Sequence, residues 1–390
     1  MRRQSIILTA ISGLALAVAT IHPGAADEPP VSMDAAAFCL QAARIFPVSG
    51  EPIENGMIWI ENGKIRAIGE KLDLPDGVEI RNLGKSVIMP GLVDGHSHIG
   101  GYLDLAETVT ATTPGVRAAD ALDPYHPSLE AALRDGITCH LLAPRGDNTI
   151  AGVCAVIKPS SGDGGARVLT DEAGLKLSFS SGSLRRDRRP TSRAGAVALF
   201  REKAASNERS DELGEALAGR WPVFVDATSR GEIATALRVI KEFRLRGALV
   251  HASWGRDLAE EILKSGVACV IGPLQLTDPR ELLETAGALE GKGVKLAFGS
   301  DAPIGTRDSL LVTAALAVRH GMSRRAALQA LTINAAELAG VSNQLGSLEA
   351  GKSADLLIMD GDPLDLSSRV EEVFLDGESV YRRKKAKEKP

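Results

Sequence analysis

The sequence predicts an α/β protein, a (β/α)8 TIM-like barrel flanked by a small β-sandwich built from the N- and C-terminal segments. Three observations predict it. From Gly91 to Val341 short apolar strands alternate with amphipathic helices at intervals of roughly 20–30 residues, the mark of parallel βαβ units. That span is 251 residues long, close to the ~250 typical of a barrel. On either side the chain reads as strand and turn, and neither flank alone has enough strands for a core. A doubly wound sheet shares the alternation and is the alternative architecture.

In chain order, residues 1–26 read as a secretory signal peptide. Arg2 and Arg3 precede an uncharged apolar run from Ser5 to Thr20, and the small residues Gly24-Ala25-Ala26 follow. The 16-residue run is short for a membrane span, and no later segment approaches one, so the expected location is periplasmic or secreted; an uncleaved anchor is the alternative. Residues 27–90 form one part of the sandwich. Met57-Ile58-Trp59-Ile60 and Ile65-Arg66-Ala67-Ile68 flank Asn62-Gly63, a hairpin signal.

The barrel is expected over 91–341. Its strands are read at Val87–Asp94 running into the barrel, Ile137–Leu142, Gly174–Leu177, Val223–Asp226, Ala248–His251, Ala268–Ile271 and Val294–Phe298. Helices are read at Ser128–Arg134, Glu232–Phe243, Asp257–Ser265 and Pro279–Leu289 from their apolar spacing. The second part of the sandwich, 342–381, holds strands at Gly346–Leu348, Ala354–Met359 and Val373–Gly377. The tail 382–390 is basic and reads as disordered and solvated, with contact to anionic lipid as the alternative.

Without Arg2 and Arg3 the formal charge of −5 becomes −7, which argues against nucleic acid as a partner. A small-molecule substrate is the expected partner, and self-association into a homo-oligomer is left open. The four cysteines are scattered with no CxxC pair; isolated buried thiols are expected, with a Cys139–Cys154 pairing as the alternative.

In a barrel, active residues lie at the C-terminal ends of strands. The first strand end carries His96-Ser97-His98, and alternate residues of a strand share a face, so both imidazoles form a half-site for a divalent metal. The bland reading is a polar loop. Later strand ends offer Lys176, Asp226, His251 and Asp301. Such a set suits hydrolysis by a metal-activated water. Asp301 is the candidate ligand and general base, and His251 a ligand or a donor that polarises the substrate carbonyl. Lys176 as a carbamate bridges two metals, against which stands a plain lysine; Asp301 also reads as a turn or N-cap residue before Ala302-Pro303. The arginines of Arg185-Arg186-Asp187-Arg188-Arg189-Pro190-Thr191-Ser192-Arg193, Arg193 among them, match a carboxylate clamp at the mouth, or a solvated charged loop.

Pro90-Gly91-Leu92-Val93-Asp94-Gly95-His96-Ser97-His98 resembles the first-strand signature of the amidohydrolase superfamily. Leu331-Thr332-Ile333-Asn334-Ala335-Ala336 and Gly346-Ser347-Leu348-Glu349-Ala350-Gly351-Lys352-Ser353-Ala354-Asp355-Leu356 resemble its C-terminal signature, and Gly299-Ser300-Asp301 its eighth-strand aspartate. The nearest likeness is to exported members of the imidazolonepropionase-like group, over essentially the whole mature chain. The resemblance implies a barrel with one or two divalent ions, zinc first and Mn2+ or Fe2+ next. It implies hydrolysis of C–N bonds in amides, cyclic amides, ureides, amidines or small peptides. It also marks Pro144–Gly152, with Arg145 and Asn148, as a substrate-contacting loop.

One departure stands out. The family carries a metal-binding histidine at the end of the fifth strand, where this chain has Asp226 and, two residues on, Thr228. His126, His140 and His320 lie elsewhere in the sequence. Asp226 either ligates through oxygen, which suits Mn2+ or Fe2+ as well as Zn2+, or the site has lost a ligand. The first option gives a metal-dependent hydrolase of C–N bonds. The second gives a degenerate scaffold that binds a small molecule or partner without turnover.

Overall fold

The computed structural model describes residues 37–160, 164–206, 211–303 and 309–384. The leader expected over 1–26 and most of the basic tail lie outside the described residues. Eight strands form the central sheet in sequential order: β1 (Leu92–Ser97), β2 (Ile137–Leu142), β3 (Ile150–Lys158), β4 (Arg167–Ser178), β5 (Val223–Asp226), β6 (Gly247–Val250), β7 (Ala268–Ile271) and β8 (Leu296–Phe298). Alternation divides each strand between two cores. Leu175, Leu177, Val223, Val225 and Leu249 pack outward with Ile233, Ala236 and Ile240 of the helix Arg230–Phe243. Cys139, Leu141, Cys154, Val156, Phe224, Ala248 and Val270 meet inside the barrel, where the helix Ile333–Leu338 adds Ala335 and Ala336.

The barrel departs from an all-parallel plan at β3, which runs antiparallel to both β2 and β4. Its neighbours otherwise pair in parallel. The expected loop Pro144–Gly152 therefore ends early, because Ile150 opens a nine-residue, fully buried strand. A parallel crossover needs a dozen or more residues, and only residues 159–166 separate β3 from β4.

No ladder joins β8 to β1 among the described residues. The seam is closed instead by Asp301 N to His96 O at 3.2 Å, His98 N to Ala302 O at 2.7 Å and Ser300 N to the Asp94 carboxylate at 2.9 Å. Gly95 permits this approach, since a Cβ there would lie 2.9 Å from Phe298 O.

The extended run before His96 serves two sheets. Val87–Pro90 pairs antiparallel with Leu356–Met359 in a six-stranded sheet, and Gly91 marks the crossing into β1. A side chain at Gly91 would fall 2.1 Å from Thr138 Oγ1. A four-stranded sheet holds the hairpin Met57–Glu61 and Lys64–Gly69, turned by Asn62 and Gly63 at φ 52° and 73°, together with Phe38–Gln41 and Glu79–Asn82. Residues from both sheets, among them Leu40, Ile58, Ile65, Ile88, Leu356 and Phe374, share one core. Gly346–Leu348, expected as a strand, is a turn: Gly346 sits at φ 86° with Ala336 and Ile333 where a Cβ would point.

Glu372 ties the two sheets together. Its buried carboxylate accepts from Arg81 at 2.5 Å, Ser379 at 2.6 Å and Arg382 at 2.7 Å. Burial pushes its pKa up, but Arg81, Arg382 and Ser379 outweigh that and hold it below the ordinary glutamate value of 4.5. A depressed folded pKa adds stability above the unfolded value that is lost as pH falls through the folded one. Glu372→Gln is expected to cost about 2 kcal/mol at pH 7, part-exposed arginines discounting the bonds. In urea denaturation the gap from wild type should narrow as pH falls below 4.5.

All four cysteines are free and buried, Cys139 and Cys154 included. Burial pushes the Cys154 and Cys269 thiols up to about 12, which leaves them inert.

Candidate active site

Every strand-end residue expected at the mouth arrives there, and five of them close into a ring. Asp301 Oδ1 lies 2.7 Å from His96 Nδ1, and His96 Nε2 lies 2.6 Å from Lys176 Nζ. Lys176 Nζ donates to Asp226 Oδ1 at 2.6 Å, which lies 3.3 Å from His251 Nδ1. His251 Nε2 returns to Asp301 Oδ2 at 2.7 Å. Strand register accounts for the middle of the ring. Lys176 pairs with Phe224 across β4 and β5, so its long inward side chain reaches Asp226 diagonally.

His251 follows Val250, which already faces the barrel interior, so an extended residue 251 would point away. A left-handed φ of 58° turns its imidazole back over the mouth. Asp301 adopts φ 51° in the same way. Non-glycine residues in this region cost about 1 kcal/mol or more each, strain of a kind that gathers at functional sites.

The ring sets the charge of each member. Burial, then the Lys176 ammonium, push the His96 imidazole down to about 3, so it stays neutral, donating from Nδ1 and accepting at Nε2. Burial and Lys176 lower His98 likewise. Burial disfavours a charged His251, but Asp301 and Asp226 override it and raise its pKa to about 10. Burial pushes the Asp301 carboxyl up, yet His251 and His96 hold it well below the usual range. Burial opposes the Asp226 charge too, and Lys176 with His251 overcomes it.

The donor set fits one divalent ion, whose arrival would displace the proton held on His251 and the Lys176 contact at His96 Nε2. His96, His251 and Asp301 each offer a ligand atom, all within 4.8 Å of one another. Two imidazoles and a carboxylate suit Zn2+, Mn2+ or Fe2+. The His98 ring lies 4.9 Å from that of His96, and its Nδ1 is bonded to Ala143 O at 2.8 Å. With Nδ1 donating to that carbonyl, Nε2 is left as the acceptor. Lys176 and Asp226 are instead engaged with each other.

The loop residues divide. Arg145 lies over the Tyr102 ring at 4.5 Å, with Asp147 3.0 Å from its Nε, and Tyr102 lies 6.2 Å from the His98 ring. Asn148 is buried and engaged as a brace: it donates to Glu107 O and to Thr113 Oγ1, and accepts from Arg188 at 2.6 Å. Arg193 opens the helix Arg193–Ala205 on the surface, its guanidinium beside Gly231 and apart from the ring. Among those arginines it is Arg188 that reaches inward, to Thr108 O, Asp147 O and Asn148.

Three further contributors were not read from the sequence. Asp94 accepts from His96 N at 3.2 Å and from Ser300 N and Oγ, and lies 3.3 Å from His140 Nδ1, so it braces β1 against β8 beneath the site. The available signal was an acid two residues before His96 on the same strand. Glu232 closes a capping box with Ser229 and also accepts from Thr228 N and Ser181 N, tying together the exits of β4 and β5. Gly146 packs on Asp226, whose Oδ2 a Cβ there would approach to 1.9 Å.

Residues 246–381, which hold His251 and Asp301, match the amidohydrolase family. An imidazolonepropionase of Agrobacterium fabrum is 27% identical over 379 residues, covering 82% of this chain and 87% of its own. The amidohydrolase tasK of Hapsidospora irregularis is 24% identical over 390 residues, covering 84% of this chain, which spans only 40% of that relative's length. Among solved structures, an amidohydrolase from Thermotoga maritima superposes with a TM-score of 0.79 at 29% identity, over 89% of this chain and 100% of that one.

Proposed function

We propose, from the premise that this chain belongs to the amidohydrolase superfamily and is imidazolonepropionase-like within it, that it is an exported hydrolase of C–N bonds in a small amide, cyclic amide, ureide or peptide. One divalent ion, zinc first, would be held by His96, His251 and Asp301, with His98 beside them. The convergence of His96, His251 and Asp301 within 4.8 Å at the barrel mouth carries this reading. Such an ion lowers the pKa of water from 15.7 to about 7.

The chain's own residues supply the rest. Asp301 is the carboxylate that takes a proton at the mouth and returns it to the leaving nitrogen. His251, bonded to it at 2.7 Å, fixes its orientation. Arg145 on the Tyr102 ring places a cation beside the site, suited to a substrate that carries a carboxylate. Arg145→Gln is expected to raise KM about 10-fold or more with a smaller change in kcat. A kcat loss with KM unchanged would remove Arg145 from substrate binding.

The test is turnover of a panel of N-acyl amino acids, cyclic amides, ureides and dipeptides by the mature chain, with amine or carboxylate release measured. Chelation should abolish turnover, and Zn2+, Mn2+ or Fe2+ should restore it. Turnover that survives complete chelation would sink the metal-dependent reading. No turnover of any member with metal present would favour the binding scaffold.

A further inference from the structure

We infer that Lys176 stays an unmodified lysine whose ammonium, paired with Asp226, occupies the place of a second cation and excludes one. The ion count within this inference rests on the metal-dependent reading above; the state of Lys176 does not.

Lys176 is fully buried, and its Nζ lies 2.6 Å from both Asp226 Oδ1 and His96 Nε2. The Asp226 carboxylate is held on both sides. Oδ1 serves Lys176 and sits 3.3 Å from His251, while Oδ2 is pressed against the backbone at Gly146, where a Cβ would come within 1.9 Å. Were position 226 a histidine, as the resemblance leads one to expect, the buried ammonium would lose its counter-ion. The aspartate supplies it. The departure at the fifth strand and the lysine contact are therefore one device rather than a simple loss.

A carbamate would reverse the charge of that contact. Its formation joins Nζ to the carbon of CO2 and releases a proton from nitrogen, leaving an anion. Two anions would then face each other in a buried pair now held at 2.6 Å by opposite charge. Only two ions in the site would compensate, and Asp226 Oδ1 is already held by Lys176.

The test uses the mature protein as purified, equilibrated with 13C-labelled bicarbonate and Zn2+, and reads 13C NMR and native mass spectrometry. Wild type should show no carbamate resonance and no more than one ion per chain. A carbamate signal, or two tightly held ions, would overturn the inference. No carbamate and no ion would leave the Lys176 assignment standing and remove the metal-dependent reading instead. Asp226→His, checked for folding by circular dichroism, should gain a second ion together with the carbamate signal. A folded Asp226→His that still holds one ion and no carbamate would show that Asp226 is not what excludes the second.

Discussion

Lys176→Met is expected to destabilise the fold by about 3–5 kcal/mol at pH 7, among the largest single-residue effects in the molecule. The side chain is fully buried, and its loss leaves the Asp226 carboxylate without its closest cation. The pH dependence follows in sign. In wild type Lys176 and His251 hold the Asp226 pKa below its ordinary 3.8, overcoming burial, so Asp226 adds stability at neutral pH. In the variant burial prevails, and the penalty grows as pH rises above about 4 and the carboxylate ionises. Chemical denaturation at pH 4 and pH 7 should therefore show the gap from wild type widening with pH. The double variant Lys176→Met with Asp226→Leu should recover much of the loss, since it removes both charges. A single-variant loss below about 1 kcal/mol would mean that the pair is open to water.

Asp301→Asn is expected to lower kcat/KM at least about 1,000-fold while leaving far-UV circular dichroism unchanged. Both carboxylate oxygens are in use, one on His96 and one on His251, each at 2.7 Å. An amide keeps the volume but cannot take a proton at the mouth, and it presents a donor to one of two imidazole nitrogens that now see only acceptors. Activity within about 10-fold of wild type would exclude Asp301 as the base.

How much of this was legible in the sequence depends on what each element's geometry rests on. The strand ends were readable, since His96, Lys176, Asp226, His251 and Asp301 each close a short apolar run, and a barrel brings such ends to one face. The direction of β3 was not. Ile150–Lys158 is buried on both faces, so it shows no polar face, and only the short link to β4 signals a hairpin. The ring was invisible for another reason. It depends on the register that sets Lys176 diagonal to Asp226 and on a left-handed backbone at His251, neither of which residue types specify. The arginine run showed the same limit: its composition announced a cationic loop, but packing decided that Arg188 turns inward while Arg193 stays at the surface.

Asp226 shows where the two kinds of reading diverge. As a letter in the sequence it marks a missing ligand. In three dimensions it is the counter-ion of a buried lysine, and the histidines and carboxylate that remain still fit a single divalent ion.

The most direct test of that account is an anomalous difference map at the zinc edge from crystals of the wild-type protein grown with Zn2+. One peak per chain is expected, enclosed by His96, His98, His251 and Asp301, with Lys176 still on Asp226. A map without a peak at the mouth, or with a second peak between Lys176 and Asp226, would contradict it.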